Sequence, residues 1–172
     1  EPTVYYIVDF DANKADTFGD AYPKLSGVKL GEVETLRYAA RDGYPIEAYL
    51  TLPPGSDGQN LPLVVVPHGG PESRDYPMFD VFAQFLATRG YAVLRPQYRG
   101  SDGLGLQLWL AGDENWGLKM QDDKDDGAQW LDMSHDGYRS LYGIIHRRRL
   151  WLSPDGGDLR GVLQRLPYLR SL

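Results

Sequence analysis

Leu61-Pro62-Leu63-Val64-Val65-Val66 is a continuous apolar run that stops at Pro67-His68-Gly69-Gly70-Pro71. A strand with one wet face alternates apolar and polar residues. A run without alternation suits a strand covered on both faces, as in a sheet held between helix layers. Neither a helix nor a strand continues through the Pro-His-Gly-Gly-Pro turn. Downstream, Phe79, Phe82, Ala83, Phe85 and Leu86 fall on a helical stripe that reads as core packing, with Gly90 placed to stop the helix. Residues 91–94 form a second short buried strand, and residues 99–105 a glycine-rich loop. Residues 120–131 read as a helix with Met120, Ala128 and Leu131 inward and Asp122, Asp123, Asp125 and Asp126 facing water. Upstream, residues 33–38 and 46–52 pair as a hairpin about Arg41-Asp42-Gly43-Tyr44. Hairpin, strand, helix, strand, loop and helix in that order predict a three-layer α/β fold.

The first 31 residues do not fit that core. Residues 4–10 read as one strand with an exit turn, too little to fold alone, and residues 17–31 as a linker rich in Gly, Pro and Ser. The last 40 residues differ in charge. Residues 133–172 hold seven Arg, no Lys and three Asp, a balance of +4 against −10 for residues 1–132. Such a break points to segments of different role or origin. Arg-rich, Lys-free sequence also arises when Gly- and Ala-rich codons are read out of frame, so a frameshift is one reading of this tail.

Composition closes several routes. The chain has no cysteine, which excludes disulfides, thiolate zinc sites and a cysteine nucleophile. The longest apolar run is far short of the ~18 residues that span a bilayer, so no membrane partner is expected. The aspartate run lacks the Gly and distal Glu of a calcium loop, so no metal is expected. His146-Arg147-Arg148-Arg149 beside an acidic body does not make a nucleic-acid surface. No cofactor-binding pattern is visible. Without a basic, then apolar, leader the expected compartment is the cytoplasm. A first residue Glu1 rather than Met leads us to expect a longer parent chain.

His68-Gly69-Gly70 follows the buried strand, where open α/β sheets gather their reactive groups. Two residues without Cβ let a backbone approach a ligand and direct N–H groups at a developing oxyanion. A tight turn needing two glycines explains the tripeptide equally well.

Val64-Val65-Val66-Pro67-His68-Gly69-Gly70-Pro71 resembles the prolyl oligopeptidase family of serine peptidases, especially its acylaminoacyl-peptidase branch. Gln97-Tyr98-Arg99-Gly100-Ser101 is similar to that branch's Asn/Gln-Tyr-Arg-Gly-Ser segment. Asp122-Asp123, Asp126-Gly127 and Trp130-Leu131 look like the helix before its nucleophile strand. Ala40-Arg41-Asp42-Gly43 and Tyr49-Leu50-Thr51-Leu52-Pro53 resemble its opening hairpin. The resemblance implies that residues 1–31 are the end of a β-propeller and a linker. Residues 32–132 would be the N-terminal half of an α/β-hydrolase catalytic domain, and residues 133–172 a divergent tail. It implies an oxyanion-hole loop at His68, Gly69 and Gly70, structural support from Arg99 and Asp123, and short peptides as the parent enzyme's substrates.

The next element in such a fold is a strand ending in Gly-x-Ser-x-Gly, the nucleophile elbow. No serine of the sequence has glycines two before and two after, and His135 and His146 lack the family's context. No catalytic Ser, Asp or His is identifiable, so the chain itself is expected to be inactive. A non-catalytic binding module and an esterase-type hydrolase are the alternatives. A partial sheet without the elbow and later strands is also expected to self-associate through its exposed edge.

Overall fold

The computed structural model describes residues 2–134, with side chains to residue 131. The expectations for the rest of the tail, including His135, His146 and the arginines at 147–149, lie outside the described residues. Six strands and three helices follow in the order β1 (Val4–Asp9), β2 (Lys14–Asp20), β3 (Val33–Ala39), β4 (Pro45–Thr51), β5 (Leu63–Val65), α1 (Val81–Ala87), β6 (Ala92–Gln97), α2 (Leu106–Leu110) and α3 (Lys119–Ser134). They make a two-stranded sheet, β1-β2, and a four-stranded sheet in the order β3-β4-β6-β5.

β4 pairs antiparallel with β3 on one side and β6 on the other, whereas β5 runs parallel to β6. Side chains alternate across a strand, so register fixes what each face carries. One face presents Ile46, Ala48, Leu50, Leu63, Ala92 and Leu94, and α3 covers it with Ala128 and Leu131. The other presents Tyr49, Thr51, Val93, Arg95 and Gln97, all buried, and packs with α1. The expected helix–sheet–helix layering is therefore present in the described residues.

Four expectations need correction. The segment after residue 10 is not only a turn. Asp9 Oδ1 accepts from the N–H groups of Asp11 and Ala12, and Asn13 takes φ 48°, which turns the chain back into β2. Residues 14–20 thus pair with β1, and the linker begins only after Asp20. Second, β6 runs on to Gln97, through Pro96, although β6 is an interior strand. Proline is tolerated there because β5 has already ended. Leu94 O accepts from Val66 N at 2.8 Å, and Pro96, facing the same way two residues on, lies past the last β5 partner.

Third, the aromatic stripe of α1 is not core. Phe82 and Phe85 are 55% and 49% exposed, while Ala83, Gln84 and Ala87 are buried. Small residues bring the helix close to the sheet. Gln84 then pairs with both backbone groups of Gly31, accepting from its N–H at 2.8 Å and donating to its carbonyl at 2.9 Å. Fourth, the aspartates of α3 do not all face water. Asp123 is 0% and Asp126 6% exposed.

Gly127 lets α3 approach β3. A Cβ there would lie 2.6 Å from Cζ and the hydroxyl oxygen of Tyr38, a buried ring fixed by its hydrogen bond to the Asp123 carbonyl. Gly127→Ala should destabilise the chain by about 1–3 kcal/mol in urea unfolding. Gly19→Ala in β2, with nothing within 4 Å of the added carbon, should leave the midpoint of the same transition in place.

Candidate active-site loop

β5 and β6 are parallel neighbours, and the loops at their C-terminal ends form the candidate site. The chain leaves β5 at Val66 and enters His68-Gly69-Gly70. It leaves β6 at Gln97 and enters Tyr98-Arg99-Gly100-Ser101. The two loops are joined by side chains. Tyr98 hydroxyl donates to the His68 carbonyl at 2.8 Å, and the two rings stack with centroids 4.5 Å apart. His68 Nε2 lies 2.9 Å from Ser101 Oγ, and Nδ1 lies 2.8 Å from the Gly69 carbonyl. Ser101 Oγ lies 2.6 Å from the Tyr98 carbonyl.

A hydroxyl has one proton and a neutral imidazole one N–H. The Gly69 carbonyl can only accept, so with Nδ1–H donating to it His68 Nε2 is an acceptor toward Ser101 Oγ, whose proton the Tyr98 carbonyl also reaches for. The His68 tautomer sets which of the two takes that proton, and in either arrangement the Ser101–His68 pair joins the two loops.

The two glycines differ. Gly70 has φ +129°, and a Cβ there would meet Glu72 N at 2.7 Å, so the turn itself demands glycine. Gly69 has no left-handed φ and nothing within 4 Å of an added Cβ. Its bare face opens onto free space at the strand ends.

The loop from Pro71 to Phe79 has no regular structure, yet it is pinned to β6. Gln97 accepts from Asp75 N at 3.2 Å and donates to Asp75 O at 2.7 Å. Arg95 Nη2 donates to Tyr76 O at 3.2 Å, and its Nη1 lies 3.6 Å from Asp75 Oδ1. Burial pushes the Asp75 carboxyl up, against the pull of Arg95. Arg74 Nη1 donates to Gly103 O at 2.9 Å, and Asp102 N donates to Ser73 O at 2.9 Å, tying this loop to the one after β6. Sequence reasoning missed the roles of Asp75, Arg95 and Gln97. Buried polar residues at alternating positions of β6 were the available signal.

Arg99 and Asp123 meet behind the site. Arg99 N donates to Asp123 Oδ2 at 2.9 Å, and Nε donates to both carboxylate oxygens. The far side of the guanidinium donates to Asp42 at 2.6 and 3.2 Å. Burial works against the Arg99 cation, but its bonds to Asp123 and Asp42 raise it above its ordinary value. Burial pushes Asp123 up, opposed by Arg99. A parallel clamp joins Arg41 to Asp126 at 2.7 Å and to Asp122 at 2.9 Å.

The family model for the heparinase II/III-like C-terminal region matches residues 97–162. Among curated proteins, dipeptidyl aminopeptidase BIII of Pseudoxanthomonas mexicana is 37% identical over 164 residues, covering 83% of this chain and 24% of that protein. The human acylamino-acid-releasing enzyme is 43% identical over 96 residues, covering 55% of this chain and 12% of that enzyme. A puromycin-hydrolysing peptidase of Mycobacterium tuberculosis superposes with a TM-score of 0.66 at 26% identity, covering 78% of this chain and 22% of that one. The chain thus spans about a quarter or less of the length of these relatives. The heparinase-like match covers less than half of the chain. Its described part holds Arg99 and Asp123.

Arg99→Met should cost about 3–5 kcal/mol, because it strands a buried carboxylate. The Asp42 pair should show in acid. Its hydrogen bond from Arg99 holds the Asp42 carboxyl down to about 2, whereas the unfolded chain titrates near ~4. The unfolded state therefore takes up its proton first. The stabilisation is present above pH ~4 and is lost as pH falls toward 2. Asp42→Asn should flatten that part of the curve of melting temperature against pH, and an unchanged slope would contradict the assignment.

Proposed function

We propose, because this chain belongs to the prolyl oligopeptidase family of serine peptidases, that residues 32–132 are the N-terminal half of an α/β-hydrolase catalytic domain. In this reading His68, Gly69 and Gly70 form the oxyanion-hole loop. The parent reaction is hydrolysis of peptide bonds in short peptides through a serine acyl-enzyme. Residues 1–31 would close a preceding β-propeller and link it to the sheet, and residues 133–172 would be a divergent tail.

One observation carries the site assignment. Gly69 is glycine where neither backbone conformation nor packing requires it. The requirement then comes from what enters the open space beside it. A backbone N–H carried there on a turn fixed by Gly70, Tyr98 and Ser101 is suited to an oxyanion, which must find its donors already aligned. The position supports the same reading, since the turn stands at the carboxyl ends of two parallel strands.

The 172 residues hold no Gly-x-Ser-x-Gly sequence. Covalent catalysis by this stretch alone lacks its first step. The purified chain should neither react with a fluorophosphonate probe nor hydrolyse an acyl-peptide above background. Stoichiometric labelling of any serine would overturn this. The site assignment is tested in a chimera joining residues 2–131 to the elbow-bearing remainder of the puromycin-hydrolysing relative. It should hydrolyse acyl-peptides. Gly69→Ala in it should lower kcat/KM by about 10²-fold, the scale of a small misplacement at the reacting centre, without moving the melting temperature. Equal activity of the variant and its parent chimera would remove Gly69 from the site.

A further inference from the structure

The His68 carbonyl that accepts from the Tyr98 hydroxyl is one half of a peptide unit, and the other half is the Gly69 N–H. A peptide unit is planar, and in the trans form its C=O and N–H point in opposite directions. A bond that fixes the oxygen therefore fixes where the N–H is aimed. The next unit is held in the same way. The Gly69 carbonyl, which shares a plane with the Gly70 N–H, lies 2.8 Å from His68 Nδ1. Both carbonyls of the turn are engaged, while among the described residues the N–H groups of Gly69 and Gly70 donate to no partner. Both glycines are exposed, so those donors are open to an incoming group.

Tyr98 is itself closely confined. It is buried, with 4% of its surface exposed. The His68 ring stacks on it, nearly parallel at 16°. Lys124, half-buried on α3, sets its Nζ over the ring 3.9 Å from the centroid. An ammonium in that place is attracted by the aromatic face, the more so where water is partly excluded. Burial pushes the Tyr98 phenol up, which keeps the hydroxyl protonated and donating. The ring is thus held by α3 and by the loop it serves, and its one proton goes to the peptide unit that carries the Gly69 N–H.

We propose that Tyr98 is a positioning residue that aims the Gly69 N–H at the oxyanion, and that Lys124 holds the Tyr98 ring for that task. This deepens the reading of His68, Gly69 and Gly70 as an oxyanion loop and rests on it. Neither side chain touches the substrate. Tyr98 acts through the peptide plane in two ways. It sets the direction of the N–H, and by drawing on the carbonyl it makes the N–H a stronger donor, as successive hydrogen bonds polarise one another. A donor aligned in advance stabilises charge that develops only in the transition state, so its loss appears in kcat rather than KM.

Two experiments separate the positioning role from the oxyanion loop. The first is NMR on the purified full chain. Tyr98→Phe keeps the ring with its stacking partners and removes only the hydroxyl. The His68 carbonyl carbon and the Gly69 amide nitrogen should both move upfield, while Lys24→Met, at an exposed position, should leave them in place. An unmoved Gly69 nitrogen in a folded Tyr98→Phe chain would overturn the proposal and leave the oxyanion loop standing. The second uses the chimera with the puromycin-hydrolysing relative. Tyr98→Phe should lower its kcat about tenfold with KM unchanged, less than the loss of about 10²-fold or more when an oxyanion donor is removed outright. Lys124→Met should lower kcat about threefold, and Lys124→Arg should restore it, because a guanidinium also sits on an aromatic face. Parental kcat in Tyr98→Phe beside a loss in Gly69→Ala would overturn the positioning alone, whereas parental activity in both would overturn the oxyanion loop with it. An inactive chimera leaves the decision to the NMR result. Lys124→Met carries the same measurements if Tyr98→Phe does not fold, and an unmoved Gly69 nitrogen there would overturn the proposal.

Discussion

The guanidinium of Arg99 holds three separate stretches of chain together. It stands at the end of β6, and its donors reach Asp123 on α3 and Asp42 in the β3–β4 turn. Tyr44, from the same turn, lies against it with its ring centroid 4.9 Å away. Taking a cation and a carboxylate out of water costs several kcal/mol per ion, and only close, well-directed bonds offset it. Arg99 meets that condition with two carboxylates and with its own backbone N–H on Asp123. The arrangement fixes how far α3 sits from the sheet and where the loop after β6 begins. Tyr98 and Ser101 flank Arg99, so the position of the His68 loop depends on the same anchor.

The two faces of the sheet solve different problems. Under α3 the packing is apolar, with ionic clamps at the margin. Under α1 and the loop after Gly70 polar groups are buried beside Tyr49 and Val93, and two of them act on backbone. Gln84 holds Gly31, and Gln97 holds Asp75. An amide side chain presents a donor and an acceptor together, as a strand edge does, so it can fix an irregular segment without adding a strand. This is why a nine-residue loop without secondary structure can flank a site that needs fixed geometry. Among the described residues Thr51 Oγ1, Asp75 Oδ2 and Arg95 Nε have no hydrogen-bond partner, and all three belong to this face rather than to the one under α3.

What the sequence revealed and what it concealed follow from the range of each signal. The strands with β-branched runs, the β3–β4 turn and the Gly-Gly turn are local, and residues 33–66 read correctly. The β2 strand carries Asp, Lys and Gly where apolar alternation was sought, and only the Asp9 and Asn13 turn chemistry could have announced it. The aromatic stripe of α1 misled because a helix that approaches closely buries alanine, leaving larger residues outside. The aspartates of α3 misled because their partners are far away. Asp123 shares a helical stripe with Met120 and Leu131, but the arginine that makes its burial tolerable lies 24 residues upstream. The candidate site was legible as a motif. The contact of His68 with Ser101 was not, since it joins two loops 33 residues apart in the sequence.

Consecutive residues at the start of α3 make the helix an organiser rather than a cover. A turn of 3.6 residues sends neighbours about 100° apart. Asp122 and Asp126 therefore meet Arg41 on one side, Asp123 points into the sheet toward Arg99, and Lys124 reaches Tyr98 on the other. The acidic excess of residues 1–132 is thus partly a consequence of architecture, since Arg99 and Arg41 each engage two carboxylates. The Gly69–Gly70 turn is held by bonds that start on α3 and pass through residues 98–101, with no contact needed from its own open side. A site braced only from behind keeps its front free, which is the condition for a backbone to meet a substrate directly.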